Sequence, residues 1–197
     1  ARFDDRITGK IDEFSPNSKK VHIDIDATSV NKNVDVDLAI LTDCEKFLSE
    51  ALKIIKDRKI QNFPTYDKWW SQIDLWKKVD CLKYKANSDV IMPQYAIERL
   101  YELTKDRDTY ITTEVGQHQM WAAQFYKFEE PNRWLTSGGL GTMGYGFPAA
   151  NGVQVAHPES LVIDIAGDAS ILMNIQELST AVQYKLNTKI FILNNSY

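Results

Sequence analysis

Asp168 and Asn195 are the two side chains whose types and placement point most directly to chemistry. Asp168 follows a glycine after the apolar run SLVIDIA (160–166), and Asn195 closes a second apolar run, KIFILNN (189–195). A carboxylate and an amide oxygen are hard ligands suited to Mg²⁺, which usually keeps phosphate oxygens as further ligands. Between the two runs, Ser170 can cap a helix through about Tyr184, with apolar residues at Leu172, Ile175, Leu178, Ala181 and Val182. Strand, helix and strand make one βαβ unit, whose connection should be right-handed. Both strand ends then open on one sheet edge, where α/β folds bind ligands. Asp168 and Asn195 are 27 residues apart in sequence but become neighbours in space. The free N–H groups at the helix start suit a diphosphate.

Two upstream stretches must be positioned against that edge. TYITTEV (109–115) reads as a strand, Gly116-Gln117-His118-Gln119 follows at its C-terminal end, and MWAAQFY continues as a helix. A strand, a glycine, polar side chains and then a helix is a good phosphate-side arrangement. Taken alone, His118 reads as a turn residue. RWLTSGGLGTMGYGFPAANGVQVAHP carries Gly138, Gly139, Gly141, Gly144 and Gly146. Such density permits positive φ and close approach of backbone to a ligand. A flexible loop is the plain alternative, but Met143, Phe147, Ala149, Ala150 and Val153 place a helix directly after it. No acidic residue follows at the distance a dinucleotide fold needs, so NAD is a poor reading.

A Gly-Asp opening and an Asn-Asn close at this spacing resemble the thiamine-diphosphate (ThDP) binding motif. ARFDDRITGK, VHIDID, TTEVGQHQMWAAQFY, RWLTSGGLGTMGYGFPAANG and GDAS…NIQELSTAVQY together resemble the acetolactate (acetohydroxyacid) synthase large-subunit family over nearly the whole chain. GD…NN is shared by all ThDP enzymes and specifies only the cofactor. GQHQMWAAQ with RFDDRITGK is far more specific.

The resemblance implies roles residue by residue. Gln117 and His118 lie against the ThDP diphosphate. Gly141, Thr142 and Met143 hold the cofactor, with Met143 beneath its bent rings. Gly167, Asp168, Ala169, Ser170 and Asn195 complete the ThDP shell, and Asp168 and Asn195 ligate Mg²⁺. Arg2, Phe3, Asp4, Ile23 and Asp24 belong to an FAD shell. Asp24, near a strand end, can accept hydrogen bonds from ribose hydroxyls; a solvated turn carboxylate is the plain alternative. Arg6 meets the carboxylate of a second 2-ketoacid, which a guanidinium fork suits; without the resemblance it reads as a surface ion pair of little value. No residue of the chain is assigned as the acid–base catalyst, because the activating glutamate is expected in an N-terminal domain of a partner subunit. Glu114 and Glu177 are read as structural.

The implied reaction decarboxylates pyruvate and joins the two-carbon unit to pyruvate or 2-oxobutyrate, early in branched-chain amino acid synthesis. A homodimer or homotetramer and a small regulatory subunit are expected, in bacterial cytoplasm or a eukaryotic organelle. Other ThDP carboligases or decarboxylases (glyoxylate carboligase, pyruvate oxidase) and a non-catalytic remnant are the alternatives. Two departures stand out. Ala169 replaces the glycine many ThDP enzymes carry, which is tolerable at negative φ. Ser196-Tyr197 stands where the family supplies another polar metal-site loop.

The fold class expected is α/β: a parallel-sheet, three-layer αβα ThDP-binding domain preceded by the end of a Rossmann-like central domain. Residues 1–58 should close the central domain, with strands at KKVHIDID (alternating at Val21, Ile23 and Ile25) and LAILTD, and an amphipathic helix at 44–58. Residues 59–91 should form a linker with a helix carrying Trp69, Trp70, Ile73 and Trp76, packed between domains. Residues 92–197 should form the truncated ThDP domain. The chain opens inside a family motif and closes at another, so it is expected to be an internal piece of a longer one. A net charge of −4 over 197 residues argues against nucleic acid, and no apolar run approaches the roughly 18 residues a membrane span needs. Cys44 and Cys81 form no CxxC pair and read as reduced thiols.

Overall fold

Leu161–Gly167 is buried at every position but the first. A strand covered on both faces needs apolar residues on both, and this near-continuous run supplies them. The computed structural model that contains it describes residues 3–59, 64–85 and 89–195. It divides into two units, residues 1–76 and 77–197.

In the first unit, a short helix α1 (Asp5–Thr8) and a 3₁₀ turn (Ile11–Glu13) precede β1 (Val21–Asp24). β1 pairs in parallel with β2 (Leu38–Leu41), from Val21↔Leu38 to Asp24↔Leu41. α2 (Cys44–Asp57) follows, and the Asp43 side chain caps it by accepting from the Lys46 amide at 2.8 Å. α3 (Asp67–Lys77) runs to the unit boundary. The expected apolar alternation on β1 is inverted. His22 is buried, whereas Val21 and Ile25 are exposed. The small parallel pair is covered on the His22 side, where Phe3 packs edge-on to the imidazole at 5.1 Å. On α2, Phe47, Ala51 and Ile55 are half-buried while Leu48 and Leu52 stay exposed. On α3, Ile73 is half-buried and Trp69, Trp70 and Trp76 are more than half exposed.

The second unit opens with α4 (Pro93–Thr104), with proline in the first turn where its missing N–H is harmless. β3 (Thr109–Thr113), α5 (Gln117–Phe125), β4 (Trp134–Thr136) and α6 (Gly146–Ala156) follow. The buried strand Leu161–Gly167 is β5; α7 (Asp168–Leu172), a 3₁₀ turn (Ile175–Glu177), α8 (Leu178–Gln183) and β6 (Lys189–Leu193) complete the order. The sheet runs β4-β3-β5-β6, and every described pairing is parallel.

Side chains alternate across this sheet into two cores. Ile111, Ile163 and Ile165 pack against Ile97 of α4 and Ala122 of α5. Ala166 packs with Phe147 of α6 and Ile171 of α7, and Val162 with Ala150 and Val153 of α6. Helices on both faces of a parallel sheet are the expected three-layer arrangement. The single helix expected from Ser170 to Tyr184 is in fact three pieces. It begins at Asp168, with Gly167 as N-cap, and breaks at Asn174. The Asn174 side chain donates to the Gly144 carbonyl at 2.6 Å, a tertiary bond that periodicity cannot register.

Candidate cofactor site

The sheet order places its switch point between β3 and β5. From β3 the chain moves outward to β4, then returns to β3's other side and continues to β6. In open parallel sheets, ligands sit beyond the carboxyl ends of the strands at such a point. The segments leaving β3 and β5 there are Glu114–Gln117 and Gly167–Ser170. β5 and β6 pair up to Gly167↔Leu193, so Asp168 and Asn195 lie just beyond the ends of adjacent parallel strands.

His118 is the side chain that joins the two loops. It stands on the first turn of α5 and is 7% exposed. A Cβ built on Gly167 would lie 2.8 Å from its Nδ1, and one on Gly116 2.7 Å from its Cε1. Both glycines therefore leave room for this ring. Burial pushes the imidazole below its ordinary value, against a hydrogen bond with the Glu114 backbone and the nearby negative charge of Asp168. Its Nε2 is buried without a protein partner. A buried polar atom wants a partner. Gln117, the first residue of α5, is exposed. α5 has nine residues and α7 only five, so the free N–H groups are better provided by α5 than by the helix after Asp168.

Around Asp168 the turn is set by Ser170, which acts at the third helical position rather than as the expected cap. Its Oγ accepts from the Gly167 amide at 3.1 Å and donates to the Gly167 carbonyl at 3.2 Å. Ala169 is exposed and its φ is not positive, so the methyl is accommodated. Gly141 takes φ +69°, a value that favours glycine. Its amide donates to the Ser137 carbonyl and the Thr142 amide to Ser137 Oγ, both at 3.0 Å. Met143 is 41% exposed. The loop's far end meets Glu114, whose buried carboxylate accepts from the amides of Gly144 at 2.6 Å and Phe147 at 3.0 Å. Glu177 holds structure, accepting from Thr180 Oγ1 at 2.8 Å through its carboxylate. Ser137, Asn174 and the buried Asp164 were not legible as parts of this region. Glu114, at a strand end just before Gly116, was visible only as a supporting carboxylate.

Three clefts of the second unit, of about 580, 570 and 630 Å³, lie away from these strand ends. The first is lined by Tyr84, Glu98 and Arg99, the third by Tyr110, Arg133 and His157.

In the first unit, Asp24 Oδ1 accepts from the Asp26 amide at 2.9 Å, and that bond chiefly holds the carboxyl low, at about 2. His22 Nε2 lies 3.3 Å from Asp24 Oδ2. Ile23 is half-buried beside Ile40, and the Asp4 carbonyl accepts from the Ile7 and Thr8 amides at the start of α1. Phe3 takes φ +48°. Arg6 is exposed on α1. Arg2 lies outside the described residues.

Comparison with known proteins decides the family. Residues 114–197 match the model of the thiamine pyrophosphate enzyme C-terminal TPP binding domain, and residues 1–51 that of the thiamine pyrophosphate enzyme central domain. The chain belongs to the thiamine-diphosphate enzyme family. Over all of its length it is 49% identical to the acetolactate synthase isozyme 3 large subunit of Escherichia coli and 47% identical to the acetolactate synthase large subunit of Haemophilus influenzae. It is 44% identical to the chloroplastic acetolactate synthase of Arabidopsis thaliana. It spans 34%, 34% and 29% of these relatives respectively, about a third of their length. No helix among the described residues is long and apolar enough to cross a membrane.

The ThDP-family residues fit the group the family binds. The orphaned Nε2 of His118, the α5 amides and the glycines that admit the His118 ring suit a diphosphate. Asp168 and Asn195 offer one anionic and one neutral hard oxygen.

Proposed function

We propose that the chain is part of an acetolactate synthase catalytic subunit and supplies the diphosphate and metal half of its ThDP site. The placement of Asp168 and Asn195 beyond the ends of adjacent parallel strands, with the Asp168 charge near His118, carries this reading. When bound, ThDP supplies the chemistry that removes CO₂ from a 2-ketoacid and stores the electron pair for carbon–carbon bond formation. In this reading Asp168 and Asn195 hold Mg²⁺ against the diphosphate, and His118 and Gln117 meet its oxygens. Gly167, Ala169 and Ser170 shape the metal turn; Gly141, Thr142 and Met143 seat the cofactor's organic part. No residue of the chain moves the activating proton; that group comes from a partner subunit.

The similarity to synthase large subunits supports the finer features. The domains are 1–58 (end of the FAD-type central domain), 59–91 (linker) and 92–197 (ThDP domain). Phe3, Asp4, Ile23, Asp24 and Arg2 contribute to FAD, and Arg6 receives the carboxylate of the acceptor 2-ketoacid. The protein works as a homodimer or homotetramer with a small regulatory subunit, in bacterial cytoplasm or an organelle. The test is product analysis with the full-length protein, ThDP, Mg²⁺ and pyruvate. Acetolactate is expected, and 2-aceto-2-hydroxybutyrate when 2-oxobutyrate is added. Acetaldehyde or acetyl products in its place would move the chain to another ThDP reaction.

A further inference from the structure

Two acids with no exposed surface, Glu114 and Asp164, lie beneath the start of α6. Neither is among the residues that seat the cofactor, and burial of a carboxylate is costly unless its oxygens are matched. Glu114 is matched twice. Its Oε2 accepts from the Gly144 amide and its Oε1 from the Phe147 amide. Gly144, at φ +88°, is gripped from the other side by Asn174, which donates to its carbonyl. A Cβ at Gly144 would lie 2.7 Å from Asn174 Nδ2 and 2.9 Å from Met173 Cβ. At Gly146 a Cβ would meet the Glu114 amide nitrogen at 2.6 Å and overlap Asp164 Oδ1. Residues 144–147 are therefore pressed between the end of β3 and the turn after α7. The loop's other end is tied to Ser137 through the amides of Gly141 and Thr142. The exposed stretch between these ties contains Thr142 and Met143.

We propose that Glu114 is the positioning residue of this loop: its carboxylate fixes Gly144 and Phe147 at the strand end and so, with Ser137, presents Gly141, Thr142 and Met143 to the cofactor. The proposal rests on the ThDP reading of the site. It requires two acceptors on one side chain, because two amides must be satisfied. Glutamine would turn an N–H₂ toward one of those donors and leave it buried without a partner. Aspartate keeps both acceptors on a shorter arm.

The test uses the full-length protein and its Glu114→Gln and Glu114→Asp variants. ThDP binding with Mg²⁺ is followed by tryptophan fluorescence, and amide exchange across residues 137–147 is measured without cofactor. Glu114→Gln should weaken ThDP about tenfold and speed exchange in 137–147 while leaving α4 and β5 protected. Glu114→Asp should fall between parent and Gln variant. If Glu114→Gln does not fold, Glu114→Asp alone must show both the weaker binding and the localised exchange. Variants that bind ThDP as tightly as the parent, or whose exchange rises uniformly across the unit, overturn the proposal. A parent that does not bind ThDP instead contradicts the cofactor reading, while exchange in 137–147 still decides whether Glu114 holds the loop.

Discussion

Asp164 shows how one residue can carry a condition-dependent term that no motif announces. Burial, and then the charge of Glu114, push its carboxyl up from 3.8 to about 7, against a hydrogen bond from Thr112 Oγ1 at 3.0 Å. The folded chain therefore holds this proton more tightly than the unfolded chain. Its contribution to stability is fully present below about pH 4, falls as pH rises toward 7, and is flat above that. A displacement of this size corresponds to roughly 4 kcal/mol at most. Asp164→Asn keeps an acceptor for Thr112 and removes the titration. Urea midpoints at pH 5 and pH 8 should differ less for Asp164→Asn than for the parent; equal differences would contradict this. The sequence announced Asp168 through a strand end and a preceding glycine. It could not announce Asp164, whose meaning depends on which residue of β3 and which glycine of α6 lie against it.

At the level of elements, the strands and most helices were legible from apolar patterning, because parallel strands covered on both faces have little freedom in composition. Two failures share one cause. The helix after Asp168 breaks because Asn174 turns aside to bond Gly144, and the alternation on β1 inverts because His22, not Val21, meets Phe3. Both are tertiary contacts that local periodicity cannot encode. Contact also separates the two glycines of α6. At Gly146 an added methyl meets backbone, 2.6 Å from the Glu114 nitrogen and 2.7 Å from the Thr113 carbonyl carbon. At Gly152 it meets nothing within 4 Å. Gly146→Ala should cost about 3 kcal/mol or more, since a backbone cannot step aside. Gly152→Ala should stabilise by about 0.5–1 kcal/mol through helix propensity. Thermal melting of the two variants checks both signs, and a neutral Gly146→Ala would mean that α6 does not sit this close to β3.

For the whole molecule, the proposed FAD residues fall in the unit 1–76 and the proposed ThDP residues in the unit 77–197. In the full-length protein, Asp24→Ala should weaken FAD retention, read from flavin absorbance after gel filtration, and leave ThDP affinity nearly unchanged. Equal loss of both would contradict separate sites. The candidate half-site was legible because its residues sit in contiguous motifs at strand ends. The Glu114 clamp and the Asn174 tie were not, since they join residues 30 to 33 positions apart only after the sheet has formed, and the Ser137 tie is a local turn that apolar periodicity does not register. Asp168 is the most direct place to test the account, because it is the single anionic ligand this half-site is proposed to give Mg²⁺ beside a diphosphate that it would otherwise repel. The measurement is ThDP titration of the full-length protein and its Asp168→Ala and Asn195→Ala variants, with Mg²⁺ and with a chelator. Asp168→Ala should abolish Mg²⁺-dependent binding and Asn195→Ala should weaken it less, whereas Asp168→Ala protein that binds ThDP as the parent does would contradict the account.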